Sequence, residues 1–268
     1  MKKKRFLASL LAGTMLLGLL AGCGSPNGAE SSGPNGGTSA APGTSDSGGE
    51  GTYVRKTAEG TLTVGLTDTA DSFDPAVSFN SVGMQLVYDS ILVKDPFTGE
   101  ITSDIAESWD YTDDCTLVIQ FRDDVYFSNG EKMTAEDALY SLNRMITENS
   151  RWSTFVDAFN FEKSSAEGQT LTLVTDEPFG PGLNYLTTRY ASVLCKSYAE
   201  SCSDEDFWDK PVGTGPYECK ENVSGSHSTY TAKADYWGEV PEISTITTRY
   251  YAEQSSMMLD YENGDLDM

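Results

Sequence analysis

The chain has 268 residues, and its 18 Lys and Arg stand against 41 Asp and Glu, a formal net charge of −23. So acidic a chain excludes a nucleic-acid partner held by phosphate neutralisation, which needs a basic face. Its single histidine, His227, excludes a multi-histidine metal site. Hydrophobic residues at 38% and aromatics at 11% suffice for a core, and the length predicts one large or two modest domains.

Four cations, Lys2, Lys3, Lys4 and Arg5, precede an apolar run from Phe6 to Gly22 broken only by small residues such as Ser9 and Thr14. That is the charged and hydrophobic order of a secretory signal peptide, predicted over 1–22. The competing reading is a membrane-spanning anchor, since the run approaches the roughly 20 residues a hydrocarbon core requires. Leu20-Ala21-Gly22-Cys23 decides between them: it resembles the lipobox of bacterial lipoproteins. The resemblance implies cleavage before Cys23, a thioether-linked lipid on it, and a cell-membrane address on the extracytoplasmic face. Two acyl chains or more anchor firmly where one is marginal.

Gly24 to Gly51 holds nine Gly, six Ser and three Pro, with no aromatic, Leu or branched aliphatic residue. Such a stretch buries too little apolar surface to offset its ordering entropy, so a flexible linker is predicted over 23–57. The acidic body beyond it is expected to stand clear of an anionic membrane.

Thr61-Leu62-Thr63-Val64-Gly65-Leu66 alternates as a strand, and Asp71-Ser72-Phe73-Asp74-Pro75 follows as a loop. Val82, Leu86 and Tyr88 to Leu92 carry helical spacing until Asp95-Pro96 stops it. Leu117, Ile119 and Phe121 alternate with Thr116, Val118 and Gln120 as a second strand, and Ser128-Asn129-Gly130 predicts a turn. Thr134 caps a helix with Asp137 three residues on, and Ala138, Leu142, Met145 and Ile146 form its apolar face. Leu171 to Val174 is predicted as a strand, Leu183 to Leu194 as a helix, and Tyr230 to Ala232 and Ile243 to Tyr250 as strands. The interspersed order makes the class mixed α/β, and no repeat of 20–50 residues argues for a solenoid.

Four stretches, taken in order, resemble the bacterial extracellular solute-binding proteins of family 5, which serve ATP-driven (ABC) importers of oligopeptides, dipeptides and nickel complexes. They are Leu62-Thr63-Val64-Gly65 with Ser72-Phe73-Asp74-Pro75, where the family has a strand and a Leu-Asp-Pro loop; Leu86 to Leu92 with Ile105-Ala106-Glu107-Ser108-Trp109; Phe121 to Gly130 continuing into Met133 to Ala138; and Val212-Gly213-Thr214-Gly215-Pro216-Tyr217 with Asp235-Tyr236-Trp237-Gly238 and Glu262 to Asp267. Phe73 departs from the usual Leu. The resemblance implies a periplasmic-binding-protein-like (type II) two-lobed fold that closes on its ligand. It implies a first part of lobe I over 58–92, an inserted small domain over 93–192 and a continuation of lobe I over 193–268. It also implies that this chain carries only the first lobe and its insertion, and leaves an apolar surface uncovered where the remainder docks. The partners implied are a peptide or other small solute, an ABC permease and ATPase complex, and the membrane through the lipid anchor. The body is expected to be monomeric, with no cofactor, no metal and no enzymatic reaction.

Open α/β sheets place ligands outside the carboxyl ends of their strands, so Ser72, Phe73, Phe79 and Asn80, on the loop after the first strand, are the expected ligand contacts. An ordinary capped turn at Asp74-Pro75 is the plainer alternative. Tyr217 is the fifth expected contact, with plain packing as its alternative. Gly213-Thr214-Gly215 lacks the Lys-Ser/Thr of a phosphate loop, so its glycines are read as a tight turn near the hinge. Trp109, Trp152, Trp208 and Trp237 are expected in the core or at its rim. Cys195 or Cys202 is the expected disulfide partner of Cys219, with free thiols equally compatible. The acidic runs Asp110 to Asp114 and Asp204-Glu205-Asp206 lack a calcium loop's spacing and read as solvated surface. Two alternatives to a peptide receptor remain: a receptor for nickel complexes or another small solute, and a surface hydrolase built on His227 among Ser224, Ser226 and Ser228.

Overall fold

A computed structural model of the chain describes residues 59–67, 72–77, 81–148, 150, 152–202 and 209–268. The signal segment, Cys23 and the whole of the linker lie outside the described residues. Among the described residues no helix is long and apolar enough to cross a membrane.

β1 (Thr61–Leu66) forms where the sequence alternates, but its neighbour is remote: it pairs in parallel with β10 (Thr245–Tyr250). β9 (His227–Ala232) runs antiparallel to β10, and β8 (Tyr217–Val223) antiparallel to β9, giving the order β1-β10-β9-β8. Period-two alternation turns Tyr230 and Ile246 to one face, where Phe73 and the helix α1 (Ser81–Val87) cover them. Phe73, Met84, Val87, Tyr88, Leu194, Tyr217, Tyr230 and Ile246 make this first core. On the opposite face the helix α5 (Gln254–Asn263) and Leu266 approach Gly65 so closely that a Cβ there would stand 2.6 Å from Leu266 Cδ1 and 2.7 Å from Met257 Cγ. The same helix exposes Met258, Leu259 and Tyr261. Asp267 and Met268 continue onto the free edge of β1, where Gly65 N–H donates to the Met268 carbonyl at 2.9 Å.

The second sheet is a local antiparallel assembly, β4 (Ala106–Asp113), β5 (Thr116–Phe121), β7 (Thr170–Val174) and β6 (Ser165–Glu167), in the order β4-β5-β7-β6. Between it and the first sheet in sequence lies a two-stranded ribbon, β2 (Leu92–Lys94) with β3 (Ile101–Ser103). Leu117, Ile119, Phe121, Leu171 and Leu173 face α2 (Ala135–Thr147), whose Ala138, Leu142 and Met145 close the larger core. The expected cap is present: the Asp137 carboxylate accepts from Thr134 N–H at 2.9 Å and from its hydroxyl at 2.7 Å. The second sheet, α2 and most of the ribbon fall within 93–192.

Three expectations change. The helix after β1 ends at Val87 rather than running to Leu92, because the Val87 carbonyl accepts from Gly215 N–H at 2.8 Å instead of continuing a helical ladder. A Cβ at Gly213 would stand 2.1 Å from that same oxygen, so these glycines permit a close backbone approach rather than a free turn. The expected helix from Leu183 to Leu194 is a short α3 (Gly182–Leu186) and a 3₁₀ turn at Arg189–Ala191. Thr187 and Thr188 hydroxyls donate back to the Asn184 and Tyr185 carbonyls, and Ser192 pairs with Ser90 in an isolated bridge. Finally, Cys195 and Cys202 flank α4 (Lys196–Ser201), and they, Cys115 and Cys219 are all free thiols. The disulfide to Cys219 is therefore absent, and burial pushes the Cys219 thiol up to about 12.

Candidate ligand-binding site

β1, β8 and β10 point the same way, so Leu66, Val223 and Tyr250 end at one edge of the first sheet. The loop through Ser72–Val77, the β8–β9 hairpin and Tyr251 all leave from that edge. Gly225 adopts φ +69°, which a non-glycine residue rarely takes, and so lets the hairpin turn.

The register then dictates the outer face at this end. Gly65, Arg249 and His227 form one row across β1, β10 and β9, and Thr63, Thr247 and Thr229 the next. A groove of about 560 Å³ lies over the β9 and β10 part of those rows, with Tyr251 and Asp260 at its α5 side. Tyr251 OH donates to Asp260 Oδ2 at 2.6 Å; burial and the neighbouring carboxylate raise the phenol. His227 Nε2 stands 3.3 Å from Glu221 Oε2, and its Nδ1 3.1 Å from Ser226 Oγ. The groove thus offers threonine hydroxyls, the Arg249 guanidinium, hydrogen-bonded to the Tyr251 phenol and with no carboxylate partner among the described residues, and the Asp260 carboxylate. Those groups suit a polar, charged solute. Among the described residues no group of three or more His, Cys, Asp or Glu is placed to hold a metal ion.

The Ser226, His227 and Glu221 string is the arrangement a hydrolase reading asks for. It lies on an open hairpin, with side chains 32% exposed at His227 and 61% at Glu221, and so lacks the water-excluded setting in which electrostatic catalysis is strong.

On the other side of the same end, the loop after β1 is locked down. Asp74 is buried and makes a bidentate pair with Arg144 of α2 at 2.7 and 3.0 Å, while Ala76 N–H donates to its Oδ1. Burial pushes the Asp74 carboxyl up and the guanidinium works against that rise. Ser150 Oγ donates to the Ala76 carbonyl at 2.6 Å.

The three expected contacts that are described, Ser72, Phe73 and Tyr217, are not brought together. Ser72 is half-buried, and its hydroxyl accepts from Asp74 N–H at 3.0 Å, the turn device that was the plainer alternative. Phe73 has no exposed surface and packs edge-on against Tyr230, with centroids 6.3 Å apart; it is a core residue, not an apolar wall for a ligand. Tyr217 begins β8 at the opposite end of the sheet, buried, with its hydroxyl donating to the Ile243 carbonyl at 3.0 Å. Phe79 and Asn80 lie outside the described residues. Arg249, Tyr251 and Asp260 were missed. Alternation over Thr245–Tyr250 puts Thr247 and Arg249 on one face, but only the remote strand pairing of β10 places that face along the groove.

A family model described as bacterial extracellular solute-binding proteins, family 5, Middle, matches residues 100–268. The chain belongs to this family. This family-5 chain is 28% identical over 177 residues to the probable ABC transporter periplasmic-binding protein SapA of Escherichia coli, covering 58% of the chain and 32% of SapA. It is 27% identical over 186 residues to the nickel-binding periplasmic protein of E. coli, covering 68% of the chain and 35% of that protein. The solved structure of the E. coli murein tripeptide binding protein MppA superposes with a TM-score of 0.69 at 22% identity, over 78% of this chain and 46% of that one. The family-5 chain spans about a third of the length of these curated relatives, and the periplasmic-binding-protein-like fold is shared with solved structures.

Proposed function

We propose that this family-5 chain is the ligand-facing first lobe of an extracytoplasmic receptor that captures di- and oligopeptides and delivers them to an ABC permease. Family membership over residues 100–268 carries the reading, since relatives in the family are named for peptides and for nickel. The groove supports the peptide choice: hydroxyls meet backbone amides, Arg249 suits a terminal carboxylate and Asp260 a terminal ammonium. A second lobe closes over that edge on ligand binding, and the permease reads the closed form. Residues 93–192 are the inserted small domain. Cys23 carries the lipid that moors the receptor, and the acidic body is monomeric.

Isothermal titration calorimetry on the mature protein tests this, with a mixed di- and tripeptide library and a nickel–histidine complex as separate arms. Saturable heat with peptides is expected. Silence toward every peptide, with binding of the nickel complex, would replace the peptide reading by the alternative the nickel-binding relatives favour.

A further inference from the structure

A second pocket, of about 240 Å³, lies away from the groove where the chain passes between the two cores, between the segment after α1 and the 3₁₀ turn Arg189–Ala191. It is smaller than the roughly 300–1,000 Å³ that drug-sized ligands fill. Asp89, Ser90, Leu92, Asp104, Arg189 and Ser192 are among its walls. Its charges are not paired with one another. Asp89 is saturated by the protein: Tyr236 OH donates to Oδ1 at 3.0 Å and Trp237 Nε1–H to Oδ2 at 2.9 Å. Asp104 has Ser90 N–H as its donor and, among the described residues, no cation. Arg189 gives one nitrogen to Tyr190 OH at 2.9 Å and lies over that ring at 4.9 Å, while among the described residues its buried Nε has no partner and no carboxylate neutralises it. An unpaired carboxyl and an unpaired guanidinium in one small, half-enclosed pocket complement a molecule carrying both charges.

We propose that this pocket binds a free α-amino acid or a solute of that size and charge, its ammonium on Asp104 and its carboxylate on Arg189. The site is independent of the peptide groove.

The setting gives binding a pH signature. Burial first, and the Asp89 charge second, push Asp104 up to about 7. Arg189 shares the pocket, Tyr236 faces both carboxyls, and Lys233 acts on Asp89 from the far side. An incoming ammonium needs the ionised form, so affinity rises as pH passes upward through that value.

The test is calorimetry on the full chain with glycine, L-alanine and L-leucine, one pH unit below and one above the Asp104 value of about 7. Acetate and methylammonium serve as single-ended probes. Amino acids are expected to bind more tightly at the higher pH, and the single-ended probes at least about tenfold more weakly. Asp104→Asn and Arg189→Lys should each weaken amino-acid binding by about tenfold or more, while Asp260→Asn in the groove leaves it unchanged. Asp104→Asn removes a disfavoured buried charge, so loss of the fold does not explain a loss of binding. Absence of amino-acid heat at millimolar concentration, or binding indifferent to Asp104→Asn, would overturn the proposal.

Discussion

The two four-stranded sheets have equal strand counts and opposite uses of their faces. The second is a local antiparallel assembly whose Leu117, Ile119, Phe121, Leu171 and Leu173 are sealed by α2. The first joins β1 to β10 across most of the chain, buries one face under Phe73 and α1, and leaves Thr229, Thr247 and Arg249 beside an open groove. Side-chain alternation is as regular in β9 and β10 as in β5 and β7. What differs is which face another element covers, and an open groove is left where cover stops.

Truncations in each core probe that contrast with the largest expected effects. Phe73→Ala should lose about 3–5 kcal/mol and Leu142→Ala about 2–5 kcal/mol in denaturant unfolding. If Phe73 lined a ligand cleft instead, its truncation would change solute affinity and leave the unfolding midpoint nearly unmoved.

Arg144→Met tests the clamp that joins the β1 loop to the α2 core. It strands a buried Asp74 carboxylate, so a loss of about 3–5 kcal/mol is expected, and replacing both partners with apolar residues should recover most of it. A loss below about 1 kcal/mol, the range of exposed ion pairs, would mean that solvent reaches the clamp.

The two central strands of the second sheet were legible in the sequence, whereas its outer strands β4 and β6 were not. The β5 alternation, the Thr134/Asp137 cap and the α2 apolar face all follow from neighbours a few residues apart. The helix expected through Leu92 and the one expected over Leu183–Leu194 failed where remote backbone intervened: Gly215 at the Val87 carbonyl, and Ser90 opposite Ser192. The site was legible only as an edge. The loop after β1 does leave the carboxyl end, but its Phe73 turns inward, and the groove residues Arg249 and Asp260 meet through pairing and packing that local pattern does not contain.

Between the two cores, Asp104→Asn should stabilise the protein by up to about 4 kcal/mol at pH 8, from roughly 1.4 kcal/mol per pKa unit. Its carboxyl is raised from 3.8 to about 7 on folding, so the unfolded chain ionises first. Wild-type stability therefore loses this contribution as pH climbs between those values, and the variant should not. Unfolding curves of the pair that run parallel from pH 4 to pH 8 would contradict the burial of Asp104.

The smallest stability effect belongs to the open face. Arg249→Gln should change unfolding free energy by no more than about 0.5 kcal/mol while weakening peptide binding about tenfold or more. A large stability loss would make Arg249 a structural residue.

Hydrogen–deuterium exchange with and without a saturating peptide library tests the central claim most directly. New protection is predicted at the β8–β9 hairpin, the ends of β1 and β10, and the loop after β1, with the second sheet unchanged. Protection confined to β4–β7, or none at the carboxyl edge while peptide is bound, would contradict it.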